Sequence, residues 1–158
     1  RATARLAQMV GMNVLVAEHK NVTQLRDGRI LFEAVLQRSD VLSLHCPLTD
    51  ETRNLIGLPE FKQMKPGSIL INTARGALVD EEALIEALKS GRIGGAGIDV
   101  LRNEPPVTGS ILLDTELPNL IVTPHVAWAS RQAMQTLADQ VVDNLEAFVR
   151  GEPRNLVG

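Results

Sequence analysis

The sequence has few of the features that define several large classes of protein. Its 158 residues contain one cysteine, Cys46, which excludes an intramolecular disulfide framework and a multi-cysteine metal site and fits a reducing compartment. No apolar run approaches the ~18 residues that a membrane span requires. The sixteen basic residues are scattered and the formal net charge is −3, so no basic stripe predicts a nucleic acid or an acidic membrane as partner. We therefore expect a soluble, cytoplasmic domain.

The amino terminus also lacks expected features. Position 1 is Arg1, with no initiator methionine and no charged-then-apolar leader. Residues 1–11 have the pattern of a helix that ends at Gly11, but no N-cap residue precedes them. We expect the sequence to be a fragment whose earlier part lies outside it.

The remaining residues alternate short apolar strands with amphipathic helices. Strands are predicted at 13–17, 41–45, 68–72, 96–101 and 120–123, and helices at 30–37, 58–64, after Asp80, and at 131–150. The strands are continuous apolar runs, as expected when helices cover both faces of a sheet. The last helix carries an apolar stripe that runs from Met134 to Val149. This pattern predicts an α/β fold with a doubly wound parallel sheet.

Candidate functional residues follow the predicted strands, because ligands of such sheets bind at the carboxyl ends of the strands. Glu18 follows the first strand, where an acid could accept hydrogen bonds from the adenosine ribose of a dinucleotide; a solvated strand-end carboxylate is the alternative. The glycine-rich phosphate loop that should precede it is absent. The cluster at 94–97 leads into a strand rather than a helix, and we expect its glycines to form a tight turn.

Three residues could carry chemistry on a small acid. Arg75 follows a buried strand, where its guanidinium could hold a carboxylate with two hydrogen bonds or pair with an acid at 80–81. His125 follows Thr123-Pro124 and could transfer a proton near neutral pH. Glu104 could orient its ring and stabilise its charged form. A catalytic role for Cys46 with His45 is disfavoured, because adjacent strand residues point to opposite faces.

Four motifs occur in order: HCPLTDETRNLI, INTARGALVDEEAL, GGAGIDVLRNEPP and TPHVAWAS. Their order and spacing resemble the D-isomer-specific 2-hydroxyacid dehydrogenase family, and the likeness covers essentially the whole chain. The resemblance implies a Rossmann-type NAD-binding domain over 1–150 that lacks its first strand and glycine loop. Residues 151–158 would be a tail that returns toward a substrate domain.

The resemblance also implies site residues. Arg75, Glu104 and His125 match the family's substrate-binding arginine, supporting acid and catalytic acid/base. The matching cofactor positions are Glu18, Cys46, Thr52, Thr73, Ala74, Arg75, Asp99, His125 and Ala127, with no metal. Arg75 and His125 would bind substrate, together with Trp128 if that side chain is a pocket wall rather than a packed aromatic.

The expected activity is NAD-dependent hydride transfer at C2 of a small 2-hydroxy or 2-keto acid. The tryptophan in TPHVAWAS favours glycerate, hydroxypyruvate or glyoxylate as substrate, and Glu18 favours NAD(H) over NADP(H). Family members commonly pair through this domain, so a homodimer is expected. Two alternatives remain: an NAD-binding corepressor of the same family, disfavoured by Ala129 where an aromatic is expected, and an inactive fragment.

Overall fold

The computed structural model describes residues 2–157. The chain divides into two units, one that ends at Pro124 and one that begins at His125. The helices are α1 (Ala2–Met9), α2 (Phe32–Arg38), α3 (Leu58–Gln63), α4 (Glu81–Lys89), α5 (Ile111–Asp114) and α6 (Arg131–Val149). Among the described residues, no helix is both long and apolar enough to cross a membrane.

Four parallel strands form the sheet of the first unit in the order β1-β2-β3-β4. The strands are β1 (Val41–Leu44), β2 (Ile69–Asn72), β3 (Gly95–Ile98) and β4 (Leu120–Val122). Leu44 aligns with Asn72, and Asn72 with Ile98, so three strands end at the same level of one edge. The predicted parallel α/β fold is confirmed.

The two faces of the sheet differ in burial. Leu42, Leu70 and Ala96 lie on a buried face that joins the core with residues of α2, α3 and α4. On the opposite face, Val41 and Ile69 remain 45% and 41% exposed. The expectation that helices bury both faces is therefore met on one face only within the described part of the chain.

The predicted strand at 13–17 is wrong as a strand. Its only ladder contact in residues 2–157 is a parallel bridge between Ala17 and Ile30. An apolar extended segment becomes a strand only when a neighbour supplies a continuous row of backbone partners, and no described segment does so here. The predicted strand at 96–101 is also too long, since β3 ends at Ile98.

The helix predicted after Asp80 is confirmed as α4. The Asp80 side chain accepts a hydrogen bond from the Ala83 N–H at 3.0 Å, and Glu81 and Glu82 occupy the first turn, where acids favour the helix dipole. Leu84, Ile85 and Leu88 are buried, as their spacing predicts.

The second unit consists mainly of α6. Ser130 caps its start by accepting a hydrogen bond from the Ala133 N–H at 3.1 Å. The predicted apolar stripe is present, but its members are exposed, from 41% at Met134 to 84% at Val149. Only Ala147 of this helix is buried among the described residues, because the unit contains no second layer against which the stripe could pack.

Candidate active site

Polar residues follow the strands whose ends are aligned. Thr73 comes directly after β2 and precedes Ala74, and Asp99 comes directly after β3. Asp99 is buried, its N–H donates to the Asn72 carbonyl at 2.9 Å, and its carboxylate accepts a hydrogen bond from the Thr123 hydroxyl. These contacts tie the ends of β2, β3 and β4 together at the edge where open α/β sheets bind ligands.

The loop after β2 is fixed by Asn72, a fully buried side chain that sequence reasoning missed. Its Nδ2 donates to the Arg75 carbonyl at 2.9 Å, and its Oδ1 accepts from the Ala74 N–H at 3.1 Å. The sequence signal for this role was a polar residue, Asn72, directly after the apolar residues Ile69–Ile71. Both halves of the buried amide are satisfied, so the backbone that carries Arg75 is held in one conformation.

The Arg75 side chain is exposed, and its Nη1 donates to the Ala74 carbonyl at 2.7 Å. The alternative of an ion pair with an acid at 80–81 is not realised among the described residues. Asp80 caps α4, and Glu81 accepts a hydrogen bond from the Arg102 N–H at 2.8 Å.

Glu104 lies on the loop after β3, in the same unit as Arg75. Its Oε1 accepts a hydrogen bond from the Leu101 N–H at 2.7 Å, which folds the loop back on itself. Buried Glu81 holds the same loop through the Arg102 N–H. Two carboxylates therefore hold the backbone of Leu101 and Arg102.

The Arg75 and Glu104 loops meet at Gly76. A Cβ built at Gly76 would lie 2.0 Å from both the carbonyl carbon and the carbonyl oxygen of Leu101, and 2.4 Å from the Arg102 nitrogen. These are backbone atoms, which cannot rotate away as a side chain could. Only glycine allows the segment that follows Arg75 to lie against the segment that precedes Glu104.

Gly76→Ala is expected to destabilise the protein by about 1–3 kcal/mol or more, because overpacking against fixed backbone forces the two loops apart. Denaturant unfolding of the full-length protein measures the change. Gly57→Ala is the matched control, since a Cβ there meets its nearest neighbour at 3.6 Å, an ordinary contact. Equal losses of stability in the two variants would contradict the close approach at Gly76.

Glu18 is 4% exposed and lies directly after the Ala17–Ile30 bridge. Its carboxylate accepts hydrogen bonds from the His19 N–H at 2.9 Å, the Arg26 N–H at 3.1 Å and Arg26 Nε at 2.8 Å, and also from Arg26 Nη2. The hydrogen bonds from the Arg26 side chain hold the pKa of Glu18 far below its usual range, although burial opposes this. The expected alternative of a solvated carboxylate is wrong.

Cys46 and Thr52 occupy the segment after β1. Cys46 is half-buried, and burial raises the pKa of its thiol, so a reactive thiolate is disfavoured. His45 is engaged elsewhere, with its Nε2 lying 2.9 Å from the Ser43 hydroxyl. Thr52 closes a turn by donating its hydroxyl to the Pro47 carbonyl at 2.8 Å and accepting from the Thr49 N–H at 2.7 Å.

The glycine cluster at 94–97 differs from the expected turn. Gly95 and Gly97 lie within β3, and only Gly94 lies outside the strand. A Cβ at Gly94 would lie 2.4 Å from the Gly67 carbonyl oxygen, and one at Gly97 would lie 3.1 Å from Ile71 Cδ1. The glycines therefore serve close packing of the strand with its neighbours.

His125, Ala127 and Trp128 belong to the second unit. His125 adopts a φ of +54°, a left-handed conformation that is uncommon outside glycine. Trp128 Nε1 donates to the His125 carbonyl at 2.8 Å, and the Trp128 ring is 55% exposed. A residue held in this conformation by its surroundings is a frequent feature of functional sites.

The parallel sheet and the polar groups at its carboxyl edge define a dinucleotide-binding type of α/β domain. The family described as "D-isomer specific 2-hydroxyacid dehydrogenase, NAD binding domain" matches residues 1–127. The chain therefore belongs to the D-isomer specific 2-hydroxyacid dehydrogenase family, and NAD is its cofactor. The buried acid Glu18 and the polar groups after β2 and β3 are the kinds of residue that fit this cofactor.

Individual relatives agree with this assignment. The chain is 57% identical to a glycerate dehydrogenase of Methylorubrum extorquens over 99% of its own length and 49% of that protein. It is 38% identical to a hydroxypyruvate reductase of Blautia hydrogenotrophica, again over 99% of this chain and 49% of the relative. A D-isomer specific 2-hydroxyacid dehydrogenase of Lactobacillus delbrueckii, solved with NAD, superposes with a TM-score of 0.85 at 31% identity over 99% of this chain and 52% of that chain. The chain thus spans about half the length of the relatives it matches.

Proposed function

We propose that the full-length protein transfers a hydride between NAD(H) and C2 of a small 2-hydroxy or 2-keto acid, with glycerate/hydroxypyruvate or glyoxylate as substrate. The observation that carries the proposal is the close contact at Gly76 between the loop of Arg75 and the loop of Glu104 in the first unit. They present an exposed guanidinium, Arg75, and a carboxylate, Glu104, on backbone fixed by Asn72, Gly76 and Glu81. A small carboxylic acid is the ligand class that a preset guanidinium recognises.

The roles follow from the chemistry of each group. Arg75 holds the substrate carboxylate and polarises the C2 oxygen. His125 gives a proton to that oxygen during reduction and removes it during oxidation, and Glu104 positions the imidazole. NAD, when bound, supplies or accepts the hydride. Glu18 would hold its ribose and Asp99 its nicotinamide amide. The remaining contacts would come from Cys46, Thr52, Thr73, Ala74, Arg75, His125 and Ala127.

Three finer assignments complete the proposal. Residues 1–150 act as the NAD-binding domain, and residues 151–158 form a tail toward the substrate domain. The protein works as a homodimer in the cytoplasm. Trp128 forms a wall of the substrate pocket, which its half-exposed ring supports.

The purified full-length protein is expected to oxidise NADH in the presence of hydroxypyruvate, with a kcat of about 1–10³ s⁻¹. NADH absorbance measures the rate. In the reverse direction D-glycerate should be oxidised, and L-glycerate serves as the matched control that should not be. NADH binding without turnover of hydroxypyruvate or glyoxylate would contradict the enzyme and favour a binding protein of the corepressor type.

A further inference from the structure

The contacts of Glu18 leave little room for the ribose that the proposed function places there. A carboxylate has about four positions at which it can accept a hydrogen bond. Here four N–H groups donate to it, and three of them belong to Arg26: its backbone N–H, Nε and Nη2. A 2′-hydroxyl can reach a position on Glu18 only if the Arg26 side chain gives one up.

Arg26 is much more exposed to solvent than Glu18. The Arg26 side chain is 55% exposed, whereas the Glu18 side chain is 2% exposed. A second guanidinium lies close by, since Arg29 Nη1 is 3.8 Å from Glu18 Oε1 and donates to the Ala17 carbonyl at 3.0 Å. The buried acid therefore lies among more positive than negative charge.

We propose that Arg26 is a specificity-determining residue that allows the adenosine ribose site to accept NADPH as well as NADH. Arg26 neutralises the charge of Glu18 and moves aside for a 2′-hydroxyl, or else turns its guanidinium to a 2′-phosphate. The inference rests on the proposed placement of the ribose at Glu18.

The physical reason is the balance of charge around the 2′ position. An isolated carboxylate repels a 2′-phosphate, and like charges placed together reduce affinity strongly. A carboxylate already paired with a guanidinium presents little net charge, and a guanidinium binds phosphate with two parallel hydrogen bonds. The acid alone predicts exclusion of NADPH, but the acid with Arg26 beside it does not.

Calorimetric titration of the full-length protein with NADH and with NADPH tests the proposal without any turnover. The two Kd values of the unmodified protein are expected to lie within about tenfold of each other. Arg26→Gln should weaken NADPH binding by about tenfold or more and leave NADH binding unchanged or tighter, because an acid that has lost its Arg26 partner then faces the phosphate. Arg38→Gln is the matched control and should change neither Kd, because Arg38 is an exposed arginine at the end of α2 and is not one of the hydrogen-bond donors found for Glu18 among the described residues.

Two further variants test the charge of Arg26 and the placement of the ribose. Arg26→Lys retains the charge without the planar guanidinium and should keep most of the NADPH affinity, which also covers the case in which Arg26→Gln does not fold. Glu18→Ala should weaken NADH binding if the ribose lies at this residue.

Two results would overturn the role of Arg26. One is a ratio of the Kd for NADPH to the Kd for NADH that is the same in Arg26→Gln, Arg38→Gln and the unmodified protein. The other is failure of the unmodified protein to bind NADPH. Unchanged binding in Glu18→Ala would instead refute the placement of the ribose, and hydroxypyruvate turnover tests the enzymatic proposal separately.

Discussion

His125→Gln is expected to lower kcat for hydroxypyruvate reduction by about 10²–10⁴-fold, the usual contribution of a positioned acid/base group. Glutamine is similar in size and forms hydrogen bonds, but it cannot transfer a proton. The Kd for NADH should therefore change little. Stopped-flow turnover and calorimetric cofactor binding measure the two quantities on the same preparation.

Glu104→Gln is the companion variant, and it should reduce kcat less than His125→Gln does. The proposed role of Glu104 is to orient the imidazole, and glutamine keeps a carbonyl oxygen that can accept a hydrogen bond in its place. Near-full activity of His125→Gln, or a larger loss of kcat in Glu104→Gln than in His125→Gln, would contradict the proposed pair.

Arg75→Met is expected to lower kcat/KM for hydroxypyruvate by about 10²–10⁴-fold, through a higher KM and a lower kcat. Each charge-assisted hydrogen bond between the guanidinium and the substrate carboxylate contributes about 1.5–3 kcal/mol, and methionine makes neither. Arg75→Lys should recover part of the loss, because it keeps the charge without the two parallel donors.

Arg102→Met is the matched control for Arg75→Met. Arg102 lies on the neighbouring loop and pairs with Glu82 at 3.2 Å, so its loss removes the same charge from a nearby surface. Its kcat/KM should stay close to that of the unmodified protein. Equal losses in both variants would mean that Arg75 acts only by attracting anions and does not grip the carboxylate.

Features encoded locally could be predicted from the sequence. α4 was predictable because the cap, the acidic first turn and the apolar spacing all lie within ten residues or so of one another. The parallel direction of β1 to β4 followed from the alternation of strands and helices, whereas their order in the sheet came from the structure. The candidate catalytic residues Arg75, Glu104 and His125 were predicted from the order of the four sequence motifs. Their roles remain predictions.

Features that depend on partners far along the chain could not be predicted. Residues 13–17 have the composition of a strand but form one bridge, because pairing is decided by neighbours and not by the segment itself. The partner of Glu18, Arg26, lies eight residues further on in no periodic element, so the sequence showed an acid but not its neutralisation. The requirement for Gly76 comes from the backbone at Leu101, which no local pattern specifies.

Under the proposed function, the contact between Gly76 and the Leu101 backbone also restricts how the substrate range can evolve. Any residue larger than glycine at position 76 would displace the backbone that leads to Glu104, and the displacement would change its distance from Arg75. Adaptation to longer or shorter acids would then have to come from positions away from this contact. A mutant library intended to change the preferred acid should keep residue 76 and residues 101–102 fixed.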